Sequence, residues 1–298
     1  MAVAAPASQR MAVTVAVPRS APGLGRRLLR NRRALVGGGI VIVFCLLAIG
    51  APAIAPYAPD AQTLALRNRP PSVEHLMGTD ALGRDILSRA IWAARVSLSI
   101  GVVSVLLSAV LSTTIGAIAG YAGGWVDNVL MRVTDAFLAF PTLFLMIAIV
   151  AAFGSNIAVL IAVLGLTAWQ TGARVVRGEV LSLRSREFVH AARGLGASDA
   201  RVLVRHILPN LLAVVIVSAT IRVALNILLE VGLSYLGLGV QSPLASWGNM
   251  VAEGKSVLRA AWWVSAFPGV FIVLTVMAFN LLGDGLRDVT DPRRQRLG

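Results

Sequence analysis

Six long apolar stretches, separated by short polar islands, set the pattern of the chain. They cover approximately residues 34–56, 97–119, 133–153, 156–173, 208–232 and 262–283. A helix needs about 20 predominantly apolar residues to cross the hydrocarbon core of a bilayer. The pattern therefore predicts an all-α membrane protein with six transmembrane helices. Ala34 to Pro56 carries no charge, and the third and fourth stretches are divided only by Gly154-Ser155-Asn156, a tight turn between antiparallel helices. Ala51-Pro52-Ala53 imitates a signal-peptide cleavage site, but the basic region at residues 1–33 is too long for a signal peptide. An uncleaved first span at 34–57 is the expectation.

The islands between these stretches differ in kind. Residues 1–23 are rich in Ala, Val, Pro and Ser and offer little to build a core from. Arg26, Arg27, Arg30, Arg32 and Arg33 follow among Leu24, Leu28 and Leu29, which suits an amphipathic helix lying on the membrane face. The 58–96 segment opens with prolines. From Asp80 to Ala94 its apolar residues Leu82, Ile86 and Ile91 fall near helical spacing, predicting a surface helix that leads into the second span. The island at 187–210 predicts two short helices, Glu187–Leu195 and Ser198–His206. Gly194 and Gly196 would make the turn, Ser198 and Asp199 the cap, and Pro209 the start of the next helix.

Composition fits this picture: 57% of the 298 residues are hydrophobic and the mean hydropathy is +0.78. The net charge of +13 would suit a nucleic-acid binder. With three tyrosines and no soluble region large enough for a basic domain, membrane topology explains it better. Of the 27 lysines and arginines, 19 lie in the two termini, at Arg132 and in the 174–206 loop, against seven in the 58–95 and 238–261 loops. The positive-inside rule then puts both termini and the 187–210 island in the cytoplasm. Cys45, the only cysteine, sits in an apolar stretch and forms no intrachain disulfide.

Catalytic chemistry finds no support in the sequence. His75 falls on the other side of the membrane from His190 and His206, so the three cannot form one site. Glu74 and Asp80 beside His75 make a poor metal set. Gly254-Lys255-Ser256 resembles the end of a phosphate-binding loop, yet Asn249 stands where the first glycine is required. Polar residues inside the spans carry more weight, because they are costly in hydrocarbon. Arg222, Asn226 and Glu230 lie along one stripe of the fifth span, either pairing with other helices or lining a water-filled passage. Arg222 and Glu230 are about 12 Å apart along the axis, too far for a direct ion pair. Asn280, Asp284 and Asp288 repeat every four residues from the last span onward, suggesting a local charge network with Arg287. Ser104, Ser108 and Ser112 form a small-residue stripe suited to close helix packing.

The order Ala191-Ala192, Gly196, Leu208-Pro209 resembles the EAA loop of bacterial ABC importer permeases, the segment that docks on the ATPase subunits. His190 occupies the family's glutamate position. Four more blocks, GTDALGRDILSR (78–89), YAGGWVDNVLMRVTDAFLAFP (121–141), EVGLSYLGLGVQSPLASWGNM (230–250) and FNLLGDGLRDVTDP (279–292), resemble the C-type permease subunit of dipeptide, oligopeptide and nickel importers. Ala93 stands where that pattern has a glycine, and the first 30 residues carry no match.

The resemblance implies a type I ABC importer permease fold, N-in and C-in, in the bacterial inner (plasma) membrane. The apolar pattern and the arginine count divide the chain into a cytoplasmic tail and interfacial segment (1–33), the first span (34–57), an extracytoplasmic loop (58–96), a five-helix core (97–285) holding the 187–210 island, which the resemblance makes the coupling loop, and a cytoplasmic tail (286–298). The function implied is half of the translocation pathway for peptides; nickel chelates or another small solute are alternatives, and a membrane-embedded enzyme a more distant one. The partners implied are a homologous B-type permease, two ATP-binding subunits, an extracytoplasmic substrate-binding protein and the lipid bilayer, with no nucleic acid. ATP and Mg²⁺ would be bound by the partner subunits, leaving this chain without a cofactor or catalytic residue. ATPase coupling would fall to Glu187, His190, Ala191, Ala192, Arg193, Gly196, Arg201, Arg205 and Pro209, with Glu187 standing in for the missing glutamate. Arg222, Asn226 and Glu230 are the candidates for the translocation path.

Overall fold

A computed structural model of the chain describes residue 25 and residues 28–290. The tail at 1–23, Leu24, Arg26 and Arg27 of the expected interfacial helix, and residues 291–298 lie outside the described residues. All regular structure among the described residues is helical, apart from one isolated backbone bridge between Thr79 and Asp85. The principal helices are α1 (Arg32–Ile54), α2 (Ile86–Ala122), α3 (Gly124–Leu138), α4 (Thr142–Phe153), α5 (Ile157–Leu166) and α6 (Trp169–Arg184). They continue with α7 (Glu187–Gly194), α8 (Asp199–Val202), α9 (Leu208–Tyr235), α10 (Trp247–Gly254) and α11 (Trp263–Thr290).

α2 is the mast of the molecule. Its 37 residues make a rod of about 55 Å, along which α1, α5, α6 and α9 all pack. The helix starts where Asp85 accepts hydrogen bonds from the Ser88 N–H and hydroxyl, both at 2.7 Å. Small residues bring α6 close. A Cβ on Gly116 would lie 2.4 Å from the Ala173 carbonyl oxygen, and one on Gly172 would lie 2.8 Å from the Ser112 Cβ. The small-residue stripe of α2 thus sits in a tight helix contact, where Ser108 and Ser112 bond their own helix carbonyls. α1 and α11 meet in the same manner, with Gly37 against Leu282 and Gly285 against Ala34.

Three apolar clusters lie along the mast. One joins Phe44, Ile86, Trp247 and Trp263; a second joins Ile100, Met146, Leu160 and Leu233; the third joins Ala117, Val180, Val189 and Ile207. The first and third hold the two ends of the molecule, and the functional elements lie beside them.

The expected elements exist, with four corrections. The surface helix expected over 80–94 does not stand apart from the second span. Residues 78–85 form a turn through Gly78 and Gly83, both at positive φ, and helix runs unbroken from Ile86. The stretch at 133–153 is broken at residues 139–141 and bent by 81° between α3 and α4, because Pro141 disfavours helix at the residue before it. The stretch at 156–173 bends by 40° near Thr167 and continues as α6 to Arg184, so the basic 174–206 loop begins as helix. There Arg177 bonds Asp127 of α3 through two contacts of 2.6 Å, and Arg174 pairs with Asp135.

The fourth correction concerns the island. Its second short helix does not stop before Pro209: residues 199–235 form one continuous helix. Pro209 has no N–H for the carbonyl four residues back, and its ring crowds that carbonyl. A π-helical turn at Leu203–Ile207 opens the ladder at this point, and Asn210 Nδ2 bonds the His206 carbonyl at 2.6 Å.

Four helical segments are long and apolar enough to cross a membrane: α1, α2, residues 199–235 and α11. The bent pairs α3–α4 and α5–α6 raise the number to six if each is one span.

Candidate functional site

The 187–210 island folds as a tight helical hairpin at one end of α2. α7 ends in a Schellman turn. The Ala197 N–H bonds the Ala192 carbonyl, the Gly196 N–H bonds the Arg193 carbonyl, and Gly196 takes φ +83°. Ser198 then caps α8 through the Arg201 N–H. Val189 and Ala192 face inward with Val202 and Ile207, so only small and apolar groups meet the neck of α6. The opposite face is open. Glu187, His190, Ala191, Arg201 and Arg205 are exposed, as are the apolar Phe188 and Val204, and Leu195 is 90% exposed.

Of the nine residues expected on a docking face, Ala192 and Arg193 point elsewhere. Ala192 is packed inside the hairpin. Arg193 Nη2 donates to Tyr121 Oη at 3.1 Å, and Tyr121 donates to Asp199 Oδ1 at 2.6 Å. This bond to Tyr121 is the first cause holding the Arg193 guanidinium above its ordinary basicity. The Arg184 and Arg193 guanidiniums also lie over the Tyr121 ring, at 5.8 and 5.5 Å from its centre. Tyr121 thus ties the last turn of α2 to both limbs of the hairpin. Sequence reasoning missed it; the available signal was a lone aromatic at the end of a long apolar stretch, facing an arginine-rich loop.

The polar stripe of α9 is divided between two environments. Arg222 and Asn226 border a cavity of about 360 Å³ among α4, α6 and α9. Asn226 is buried, and its Nδ2 donates to Ser104 Oγ on α2 at 2.8 Å. Glu230 turns to the other side. It is 1% exposed, and its Oε1 accepts from Ser234 Oγ at 2.7 Å and Ser246 Oγ at 2.9 Å. Ser246 caps α10 in a reciprocal capping box with Asn249. Glu230 therefore fastens α10 onto α9 and does not share the cavity with Arg222.

The far end of α2 carries a network that the sequence left as solvated helix charges. Asp80 Oδ2 accepts from Arg84 Nε at 2.7 Å and from Arg89 Nη1, and Glu253 of α10 accepts from both arginines. Asp80, Arg84 and Arg89 are buried. His75 is taken up by Asp85, at 2.9 Å from Nδ1, and stacks on Tyr57. Lys255, which follows α10, lies over the Tyr235 ring at 4.6 Å. On the last helix Asp288 lies 3.8 Å from Arg33, joining α11 to the start of α1.

The elements just described have known counterparts. Residues 112–296 match the family described as binding-protein-dependent transport system inner membrane component. Residues 24–71 match the N-terminal transmembrane domain of oligopeptide transport permease C. A relative from Brucella abortus, named for a peptide transport system permease, is 45% identical over 276 residues, 92% of either chain. The dipeptide transport system permease protein of Bacillus subtilis is 39% identical over 91% of this chain and 85% of its own length. The glutathione transport system permease protein of Pectobacterium atrosepticum is 41% identical over 90% of this chain and 89% of its own. Matched over more than half its length by one family and over nine-tenths by these relatives, the chain belongs to the binding-protein-dependent transport system inner membrane components, as a transport permease of the oligopeptide C type.

Proposed function

We propose that the chain is the C-type permease subunit of an ATP-driven peptide importer and forms half of its translocation pathway. The observation that carries this reading is the open face of the 187–210 hairpin. It stands on a rigid neck at one end of the spanning helices and exposes apolar and charged groups that no described residue covers. A six-span bundle without energy-converting chemistry needs an external drive, and such a face is what a moving partner could push. Six spans with both termini cytoplasmic, in the inner (plasma) membrane, accord with the distribution of arginine. A homologous B-type permease would complete the passage, two ATP-binding subunits holding ATP and Mg²⁺ would seat beneath the hairpin, and an extracytoplasmic binding protein would deliver the peptide. Closure of the ATPases would move the hairpin and, through the Tyr121 tie, the whole of α2. Arg222 and Asn226 would border the passage, and Glu230 would brace α10.

The test is reconstitution of the assembled importer in vesicles with labelled trialanine. Uptake should require both ATP and the binding protein. Intact complexes that hydrolyse ATP yet move no peptide would remove the reading.

Within it, Glu187 supplies the negative charge that His190 does not, since the two are one helical turn apart on the open face. Glu187→Arg is expected to lower binding-protein-stimulated ATP hydrolysis and uptake roughly two- to fivefold, the scale of an exposed pair. His190→Glu should leave both unchanged or raised. Unaltered hydrolysis and uptake in Glu187→Arg would show that Glu187 does not stand in for the missing carboxylate.

A further inference from the structure

The cavity beside Arg222 holds more polar chemistry than a helix contact needs. Arg222 has no hydrogen bond or ion pair with any described residue, and none of the residues lining the cavity is acidic. Gln170 lines it too; it is 4% exposed, and its amide has no partner among the described residues. Arg222 is half-buried, and its charge and the Gln170 amide open into the cavity with no acceptor among the described residues to meet them, so the arrangement suits a ligand that accepts hydrogen bonds and carries negative charge.

The backbone adds to this. Both helix breaks of the fold open onto the same cavity: Thr142 begins α4 after the 81° bend, and Thr167 and Thr171 flank the start of α6. Neither α4 nor α6 has a capping side chain at its N-terminus, so the free N–H groups of the first turns are left for another acceptor. The opposite wall is rigid, because Asn226 is held to Ser104 of the mast.

We propose that this cavity is a carboxylate-binding site, in which Arg222 pairs with the terminal carboxylate of a peptide in transit and Gln170 donates a second hydrogen bond. The proposal rests on the importer reading given above and names the substrate group that this part of the passage recognises. Planar guanidinium and carboxylate match in a two-bond fork, which would let a site hold the end of a peptide without reading its side chains.

The experiment uses the assembled importer in vesicles, driven by binding protein saturated with trialanine or with trialanine amide. Uptake by the unaltered complex tests the importer reading; the Arg222 variants test the site. Arg222→Gln is expected to slow trialanine uptake about tenfold, the value of one charge-assisted pair. ATP hydrolysis stimulated by loaded binding protein and uptake of the amide should change less than twofold. Arg222→Lys, which keeps the cation but not the two-bond fork, should restore part of the trialanine rate. Should the binding protein refuse the amide, loss in Arg222→Gln with recovery in Arg222→Lys still decides for the site. Equal losses for both peptides, equal losses in both variants, no loss at all, or a complex that dissociates in Arg222→Gln would give Arg222 to packing or to the partner permease and overturn the proposal.

Discussion

Asp80→Ala is expected to lower the stability of the folded chain by about 3–5 kcal/mol, the range for removing one partner from a buried ionic network. Asp80 does two things at once. Its Oδ2 faces the guanidiniums of Arg84 and Arg89, and its Oδ1 accepts from the Leu82 and Arg84 N–H groups at 2.8 and 3.0 Å, which shapes the turn before α2. Without it, Glu253 alone must balance two buried cations, and its side chain is 35% exposed. Asp80→Asn keeps one acceptor oxygen for the turn but loses the charge and sets an amide N–H against the two guanidinium donors, so its loss should be smaller than that of Asp80→Ala yet still clear. The measurement is the denaturation midpoint of the purified chain in detergent, with uptake by the assembled importer alongside. A midpoint for Asp80→Ala equal to that of the unaltered chain would mean that the network does not hold α10 to the head of α2.

That network also marks where sequence reasoning stops. The charges of 80–94 fall between apolar residues at helical spacing, a pattern shared by a solvated helix and by a buried turn followed by a helix. What separates the two is Glu253, more than 160 positions away, which covers Arg84 and Arg89. Periodicity describes one element at a time and says nothing of which element arrives opposite. The same limit governs the stripe on α9. Helical spacing placed Arg222, Asn226 and Glu230 roughly in line, but the segment after α9 folds back and brings Ser246 to Glu230 alone.

Local signals served better. Apolar length found the long helical stretches, and Gly196 and Ser198 found the turn and cap of the hairpin. Two visible signals were outweighed. Pro141 announces a break in the third stretch, yet hydropathy sums over it. Pro209 reads as a helix start, although a π turn lets the helix run through it. The block resemblance identified the family because it compares several short segments in order, and it did so without fixing what any one side chain touches.

Glu230 separates a bracing role from a role in the passage. Its Oε1 accepts from two hydroxyls, whereas its Oε2 has no partner and lies against Gly248, where an added Cβ would come within 2.9 Å. Glutamine keeps the acceptor and nearly the same volume, and removing a buried charge is itself favourable. Glu230→Gln is therefore expected to leave the denaturation midpoint and peptide uptake close to those of the unaltered chain. Glu230→Ala strands the Ser234 and Ser246 hydroxyls and opens a cavity beside α10. The cost should be about 2–4 kcal/mol, counting the lost acceptor and the void together. Uptake should fall with it, because α10 bears the Glu253 that completes the network with Asp80. The two variants must part company for the bracing role to stand: if Glu230→Gln abolished uptake while the chain remained as stable as before, the charge itself would be at work, and Glu230 would belong to the passage beside Arg222.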